Sequence, residues 1–235
     1  MTRPISLCVL FALRRESTPF TRRLKQLTTL SAAPCPARLL DAHGKEVVVL
    51  ETGIGAERAG RAIAWVLDNF SPHLVVAAGF AGALSRTLRL GQVVVASEVN
   101  EPDEVTWRVA LPTELGDLVC GRLFTSPRML TTTAAKTALF EATGAIAVDM
   151  ESGPIVEACI ARRVPCAAVR AVSDTREEEL SSELARLLDG GRVSLRRVLM
   201  AIVRRPKLIA ELWRLHRATR RAANNLADAL SRLLD

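Results

Sequence analysis

Two carboxylates in one stretch of the chain could divide the work of an active site between them. The stretch is Ala145 to Asp174, AIAVDMESGPIVEACIARRVPCAAVRAVSD, and the carboxylates are Glu151 and Asp174. Ala145 to Val148 reads as a short buried strand. Ser152 to Arg163 can complete about three helical turns, with Ile155, Val156, Cys159 and Ile160 on one face. Pro165 ends that helix, and Cys166 to Val172 is a second apolar, strand-like run. Strands joined by a helix are expected to be parallel, so both carboxylates would leave the carboxyl ends of their strands. Open α/β sheets bind their ligands at that edge. The chemistry on offer is acid–base and electrostatic work on a small molecule.

The elements that must position these residues can be read along the chain. Ile5 to Leu13 is a continuous apolar run suited to a buried parallel strand, and Ser17 to Leu30 is expected as a helix. Val47 to Leu50 reads as a strand, followed by the turn Thr52-Gly53-Ile54-Gly55. A helix is expected over Ala56 to Asn69, with Ala59, Ala62, Ile63, Val66 and Leu67 as its apolar stripe. Leu74 to Ala78 reads as a strand entering Gly79-Phe80-Ala81-Gly82, and Gly91 to Val99 as another. Asn100 to Leu118 has weak periodicity and is expected as a loop; Leu139 to Thr143 closes a helix. This alternation, in a chain of 235 residues, predicts one α/β domain. Its expected form is a three-layer fold with a mostly parallel central sheet flanked by helices, occupying residues 1–190.

Residues 191–235 differ in character and read as basic, amphipathic C-terminal helices packed on the domain. Ser194 to Val203 and Lys207 to Leu234 are expected as helices separated by a break at Pro206. Leu208, Leu212, Leu215, Ala222, Leu226, Leu230 and Leu233 mark one apolar stripe of the second. The net charge of +7 is concentrated here. Arg192, Arg196, Arg197, Arg204, Arg205, Lys207, Arg214, Arg217, Arg220 and Arg221 are opposed only by Glu211, which suggests an anionic surface as partner. The five cysteines show no metal-ligand spacing and read as reduced core thiols, so no metal site is expected. The start, MTRPISLCVLFAL, carries an apolar run of only about eight residues with no small-residue cleavage site, and reads as a first strand in a cytoplasmic protein. No apolar run approaches the roughly 20 residues needed to span a bilayer. His43, His73 and His216 are scattered and take no role.

AIAVDMES followed by VPCAAVRAVSD resembles the signature of the purine nucleoside phosphorylase and uridine phosphorylase superfamily. FALRRE near the start, TGIG at 52–55, and AAGFAGAL followed by LRLGQVVVASEV match in the same order, over roughly residues 5 to 175. The nearest branch in pattern is that of the nucleosidases acting on methylthioadenosine and S-adenosylhomocysteine. The resemblance implies that Glu151 binds the ribose hydroxyls and that Met150 packs against the sugar. It implies Asp174 as general acid at the purine ring, oriented by Ser173, and Glu16 as the base that activates water. Main-chain contacts to adenine are implied for Met129, Leu130 and Thr131, and substrate contact for Gly79, Phe80 and Ala81. No cofactor is implied, and a homo-oligomer is, with Asn100 to Leu118 completing a neighbouring pocket.

The chemistry fits those residue types. Adenine leaves well only if its ring accepts a proton, which a buried carboxylic acid can supply when desolvation and nearby negative charge keep it protonated. An ionised Glu151 would stabilise the oxocarbenium-like sugar, and Glu16 would serve the water on the opposite face. Taken alone, Asp174 also reads as a cap for a helix near Thr175, Glu151 as a solvated first-turn residue, and Glu16 as a surface charge.

Two departures bear on nucleophile and substrate. Phosphorylases of the superfamily hold phosphate with an arginine and a serine at the glycine-rich strand end, where this chain has alanine and Phe80, which favours water. Arg58, Arg15 or an arginine from a neighbouring subunit would have to supply a site if phosphate is a co-substrate. The basic C-terminal run resembles that of the hopanoid-associated phosphorylases, which implies adenosylhopane as substrate and Trp213 within a helix peripheral to the inner membrane. The expectation is thus release of adenine from adenosylhopane, with a methylthioadenosine/S-adenosylhomocysteine nucleosidase as the alternative. A nucleic-acid-binding module is the remote reading, disfavoured because only Trp213 interrupts the basic run.

Overall fold

Successive side chains of the first strand go to opposite faces, and both faces are apolar, so helices must cover the sheet on two sides. The computed structural model describes residues 2–102, 105–179 and 207–234, the side chains of 207–216 and 218 excepted. The elements are β1 (Arg3–Phe11), α1 (Arg14–Thr21), β2 (Lys25–Thr29), β3 (Ala37–Ala42), β4 (Lys45–Glu51), α2 (Ala56–Asn69), β5 (Phe70–Ala83), β6 (Val93–Asn100), β7 (Thr106–Arg108), a 3-10 turn at Thr113–Leu115, β8 (Val119–Thr125), α3 (Thr133–Thr143), β9 (Ala147–Asp149), α4 (Ser152–Ala161), β10 (Cys166–Asp174) and α5 (Lys207–Ser231). Cys8 and Leu10 of β1 join Ala62, Ile63, Val66, Ile155 and Cys159 in the core under α2 and α4. Leu7, Val9 and Phe11 face the other way, against Phe20 of α1 and Ala222, Leu226 and Leu230 of α5. The result is a single three-layer α/β domain.

The centre of the sheet, β10-β5-β1-β4, is parallel. Antiparallel pairings join it to β3 and β2 on one side and to β6 and β9 on the other. The order β10-β6-β8-β9-β5, with a further β10–β5 pairing, closes five of the strands into a ring. This ring corrects one expectation. β10 runs parallel to β5 while β9 pairs with it antiparallel, so β9 and β10 point in opposite directions although α4 joins them. The parallel rule holds for a crossover between strands that share a sheet direction; β9 instead belongs to the β6–β8 run, which opposes β10.

Local expectations met mixed outcomes. The helix over Ala56–Asn69 has the expected bounds. The helix expected over Ser17–Leu30 ends at Thr21, and Lys25–Thr29 becomes an exposed edge strand hairpinned to β3. Its β-branched Thr28 and Thr29 suit a pleated edge better than a helix. Asn100–Leu118 holds a short strand and a 3-10 turn within the expected loop. β3 and β8 carried no strand expectation; in β8, Gly121 and Arg122 interrupt the apolar pattern, and Arg122 turns to Glu98 at 2.6 Å.

The helix expected at Ser194–Val203, Arg192, Arg196, Arg197, Arg204, Arg205, the break at Pro206 and the boundary at residue 190 lie outside the described residues, as do the side chains of Leu208, Leu212, Trp213, Arg214 and Leu215. The carboxyl half of α5 is fastened to the domain. Asn225 donates to the Gly91 carbonyl at 2.7 Å, Lys45 to the Leu234 carbonyl at 2.6 Å, and Arg23 pairs with Asp228 at 2.5 Å. Among the described residues, no helix is long and apolar enough to cross a membrane. Leu226 is fully buried against the sheet. Leu226→Ala should cost about 2–5 kcal/mol in urea unfolding followed by circular dichroism; an unchanged midpoint would show that the helix does not dock on the core.

Candidate active site

Asp149 ends β9 with a side chain that no solvent reaches. Its Oδ1 accepts from the Thr125 hydroxyl at 2.8 Å and its Oδ2 from the Ser152 N–H at 3.1 Å. Arg170 of β10 pairs with that same Oδ2 and also donates to the Ser152 hydroxyl at 2.8 Å. Arg170 is 2% exposed, and its Nε has no hydrogen-bond partner among the described residues. Opposite Arg170 in the ladder stands Gly79. A Cβ there would sit 2.5 Å from the Arg170 Nη1 and 3.2 Å from a Glu16 oxygen, so only glycine lets the guanidinium lie across β5 at this height.

Around this arginine stand the expected carboxylates. Glu16 lies in the first turn of α1 and is 3% exposed, so it is no surface charge. Its oxygens accept the Leu13 N–H at 2.8 Å and the Phe80 N–H at 3.1 Å. Burial pushes the Glu16 carboxyl above its ordinary range, against the pull of those two N–H groups and of Arg170 and Arg15. Glu151 stands at the N-cap position of α4 but does not cap it. Its Oε1 instead accepts the Gly55 N–H at 2.9 Å, which ties it to the TGIG turn. Burial pushes Glu151 up to about 7, helped by Asp149 and Glu16 and opposed by Arg170 and the Gly55 N–H.

Asp174 enters from the end of β10. Its Oδ1 accepts from the Ser173 hydroxyl at 2.7 Å, and Gly82 leaves room beneath it: a Cβ there would be 3.1 Å from Oδ2. No helix follows at Thr175, so Asp174 caps nothing. Its nearest charge is also not the negative one that the acid role invoked. Lys136 of α3 donates to Oδ2 at 2.6 Å.

One cavity collects these groups. Glu16, Phe80, Ala81, Met129, Leu130, Met150, Glu151, Ser173 and Asp174 line it, together with Arg15, Ile54, Gly82 and Arg128. Gly79 and Thr131 are not on its wall; Gly79 lies behind it, under Arg170. Of the two arginines considered for phosphate, Arg15 reaches the wall and lies over the Phe80 ring at 5.8 Å, whereas Arg58 folds across the Gly53 turn. Thr219 of α5 also reaches the cavity.

Sequence reasoning passed over Asp149, Arg170 and Lys136. For Arg170 a signal existed, since it is the only charge within Cys166–Val172 and a buried guanidinium requires a carboxylate. Lys136 sits in a helix with little amphipathic contrast and gave none. Arg170→Met should cost about 3–5 kcal/mol, because it leaves Asp149 buried without its counter-ion. Thermal unfolding at neutral pH checks this, and a loss below about 1 kcal/mol would show that the network is not held by the arginine.

Residues 9–114 and 109–204 match the Phosphorylase superfamily. Among curated proteins, a 5'-methylthioadenosine/S-adenosylhomocysteine nucleosidase from Exiguobacterium sp. is 26% identical over 191 residues, covering 68% of this chain and 81% of that protein. Among solved structures, the 5'-methylthioadenosine/S-adenosylhomocysteine nucleosidase from Helicobacter pylori superposes with a TM-score of 0.78 at 17% identity, covering 100% of this chain and 99% of that one. Futalosine hydrolase of the same organism gives a TM-score of 0.77 at 17% identity, covering 100% of this chain and 98% of that one. The likeness in structure establishes the shared fold, and the match over most of the sequence establishes descent: the chain belongs to the phosphorylase superfamily.

Proposed function

We propose that the chain is an adenine-nucleoside nucleosidase, an enzyme that cleaves the purine N-glycosidic bond and releases adenine. The observation that carries this reading is the meeting of Glu16, Glu151 and Asp174, from three separate segments, on one cavity wall. In the proposed mechanism, Glu151 accepts hydrogen bonds from the ribose hydroxyls while Gly55 fixes its other side, with Met150 against the sugar. Asp174, oriented by Ser173, protonates the purine ring, and Glu16 takes a proton from the attacking water. Met129 and Leu130 face the base.

Water is the nucleophile favoured by the site. The Phe80 ring cannot donate to an oxyanion, and the Phe80 N–H is already spent on Glu16. Arg15 at the wall is the one observation that supports phosphate as co-substrate. For the substrate, the relatives support methylthioadenosine or S-adenosylhomocysteine ahead of adenosylhopane. A lipid-linked nucleoside would bring peripheral contact with the inner membrane; its sequence signal lies in the basic residues before and within α5.

Adenine release from methylthioadenosine, S-adenosylhomocysteine and adenosylhopane, each with and without phosphate, tests the proposal. Rapid turnover of the first two without ribose-1-phosphate is expected; release from adenosylhopane alone would reverse the order of substrates, and release from none would end the proposal. Asp174→Asn should lower kcat by about 10²- to 10⁴-fold. The raised Glu151 sets a pH dependence with a definite sign. Its neutral form is favoured in the fold, so it contributes stability at low pH that is lost as pH rises toward 7. Glu151→Gln should therefore raise stability at pH 8 by about 1–3 kcal/mol while removing activity. In the unaltered enzyme kcat/KM should fall as pH drops below about 7, where the ribose acceptor becomes neutral. A Glu151→Gln protein less stable at pH 8 than the parent would contradict this account.

A further inference from the structure

Lys136 is the one fully buried lysine among the described residues, and the mechanism above gives it nothing to do. Its side chain is 1% exposed. Nζ donates to Asp174 Oδ2 at 2.6 Å, to the Thr175 carbonyl at 2.7 Å and to the Glu178 carbonyl at 3.0 Å. Three acceptors match the three N–H bonds of an ammonium, which holds the group in one orientation. A solvated structural lysine would not need this; a buried one costs stability unless it is paired.

The surroundings extend that anchor. The segment after β10 is stitched to α3 at further points: Arg176 donates to Thr137 at 3.1 Å and lies over the Phe140 ring at 5.1 Å, while the Thr133 N–H reaches Glu179 at 3.3 Å. Thr132 caps α3 through the Ala135 N–H at 3.2 Å, and the residues just before it, Met129 and Leu130, line the cavity. Lys136 thus joins the segment facing the base to the acid proposed to protonate it.

We propose that Lys136 is a positioning residue for purine protonation, acting through Asp174. The inference rests on the nucleosidase reading. As the C1'–N9 bond breaks, its electron pair passes to the purine, an O–H bond of Asp174 breaks and an N–H bond forms on the ring. Asp174 is left as a carboxylate, and the Lys136 ammonium stabilises the charge that develops there. Because this charge grows only toward the transition state, Lys136 contributes to turnover more than to substrate binding.

The test separates leaving groups. Lys136→Met, Lys136→Gln and Lys136→Arg are compared with the parent on methylthioadenosine and on a nitrophenyl riboside, whose leaving group needs no proton. Removing the charge should lower kcat for adenine release on the order of 10- to 100-fold, with KM changing far less. Hydrolysis of the nitrophenyl riboside should slow much less, and Lys136→Arg should recover most of the loss. Lys136→Gln keeps donors without charge and carries the comparison if Lys136→Met does not fold. Equal slowing of both substrates, or an Arg variant as slow as the Gln variant, would overturn the role of Lys136 while leaving the nucleosidase reading intact. A parent enzyme that cleaves neither substrate would overturn both.

Discussion

A buried arginine is tolerated only among carboxylates, and the site is built around that constraint. Arg170 binds Asp149 directly and pulls against the effect of burial on Glu16 and Glu151. Without it, Glu16 and Glu151 would lose a cation that opposes burial and mutual repulsion, both of which favour the neutral forms. With it, Glu151 is pushed up to about 7 while standing on the cavity wall. Strand, helix start and turn all converge on this one cation. Asp149 closes β9, Ser152 opens α4, Gly79 yields space in β5, and Glu16 reaches in from α1.

The ring of strands makes that convergence possible. β5 is long enough to pair with β1 and β10 along its length and with β9 at its end. Because β9 runs against β5, the chain leaving it travels back toward Arg170 rather than away from the sheet. Glu151 thereby arrives beside the TGIG turn, at the amino end of α2, while Asp174 lies over Gly82 on the other side of the same strand. Two glycines three residues apart in one strand mark the two places where a charged side chain crosses it.

The two ends of the cavity are held differently. Glu16 and Glu151 are fixed by backbone N–H groups and one shared cation, all from the sheet and the turns that follow it. Asp174 is fixed by a hydroxyl and by Lys136, which belongs to a helix packed in a separate small core with Leu84, Phe124 and Val148. The Asp174 end therefore depends on the docking of α3, whereas the Glu16 and Glu151 end depends on the sheet itself.

Much of the scaffold follows from local pattern. The apolar stripe of Ala59, Ala62, Ile63, Val66 and Leu67 specified α2, since a helix face needs only a 3.6-residue period to show itself. The buried runs of β1 and β10 were legible as strong apolar strings, and Glu151 and Asp174 as charged residues near strand ends, whereas Glu16, within Arg14-Arg15-Glu16, was pointed out only by the family resemblance. What the sequence alone left undecided were relations between distant segments. The direction of β9 depends on which strands close the ring, and no run of three residues carries that information. Lys136 and Asp174 are 38 positions apart, and Arg170 and Gly79 meet only through the β5–β10 register. Residue types determined which chemistry was available; the tertiary structure decided which charges face each other, because a buried charge is settled by neighbours that only folding brings into contact.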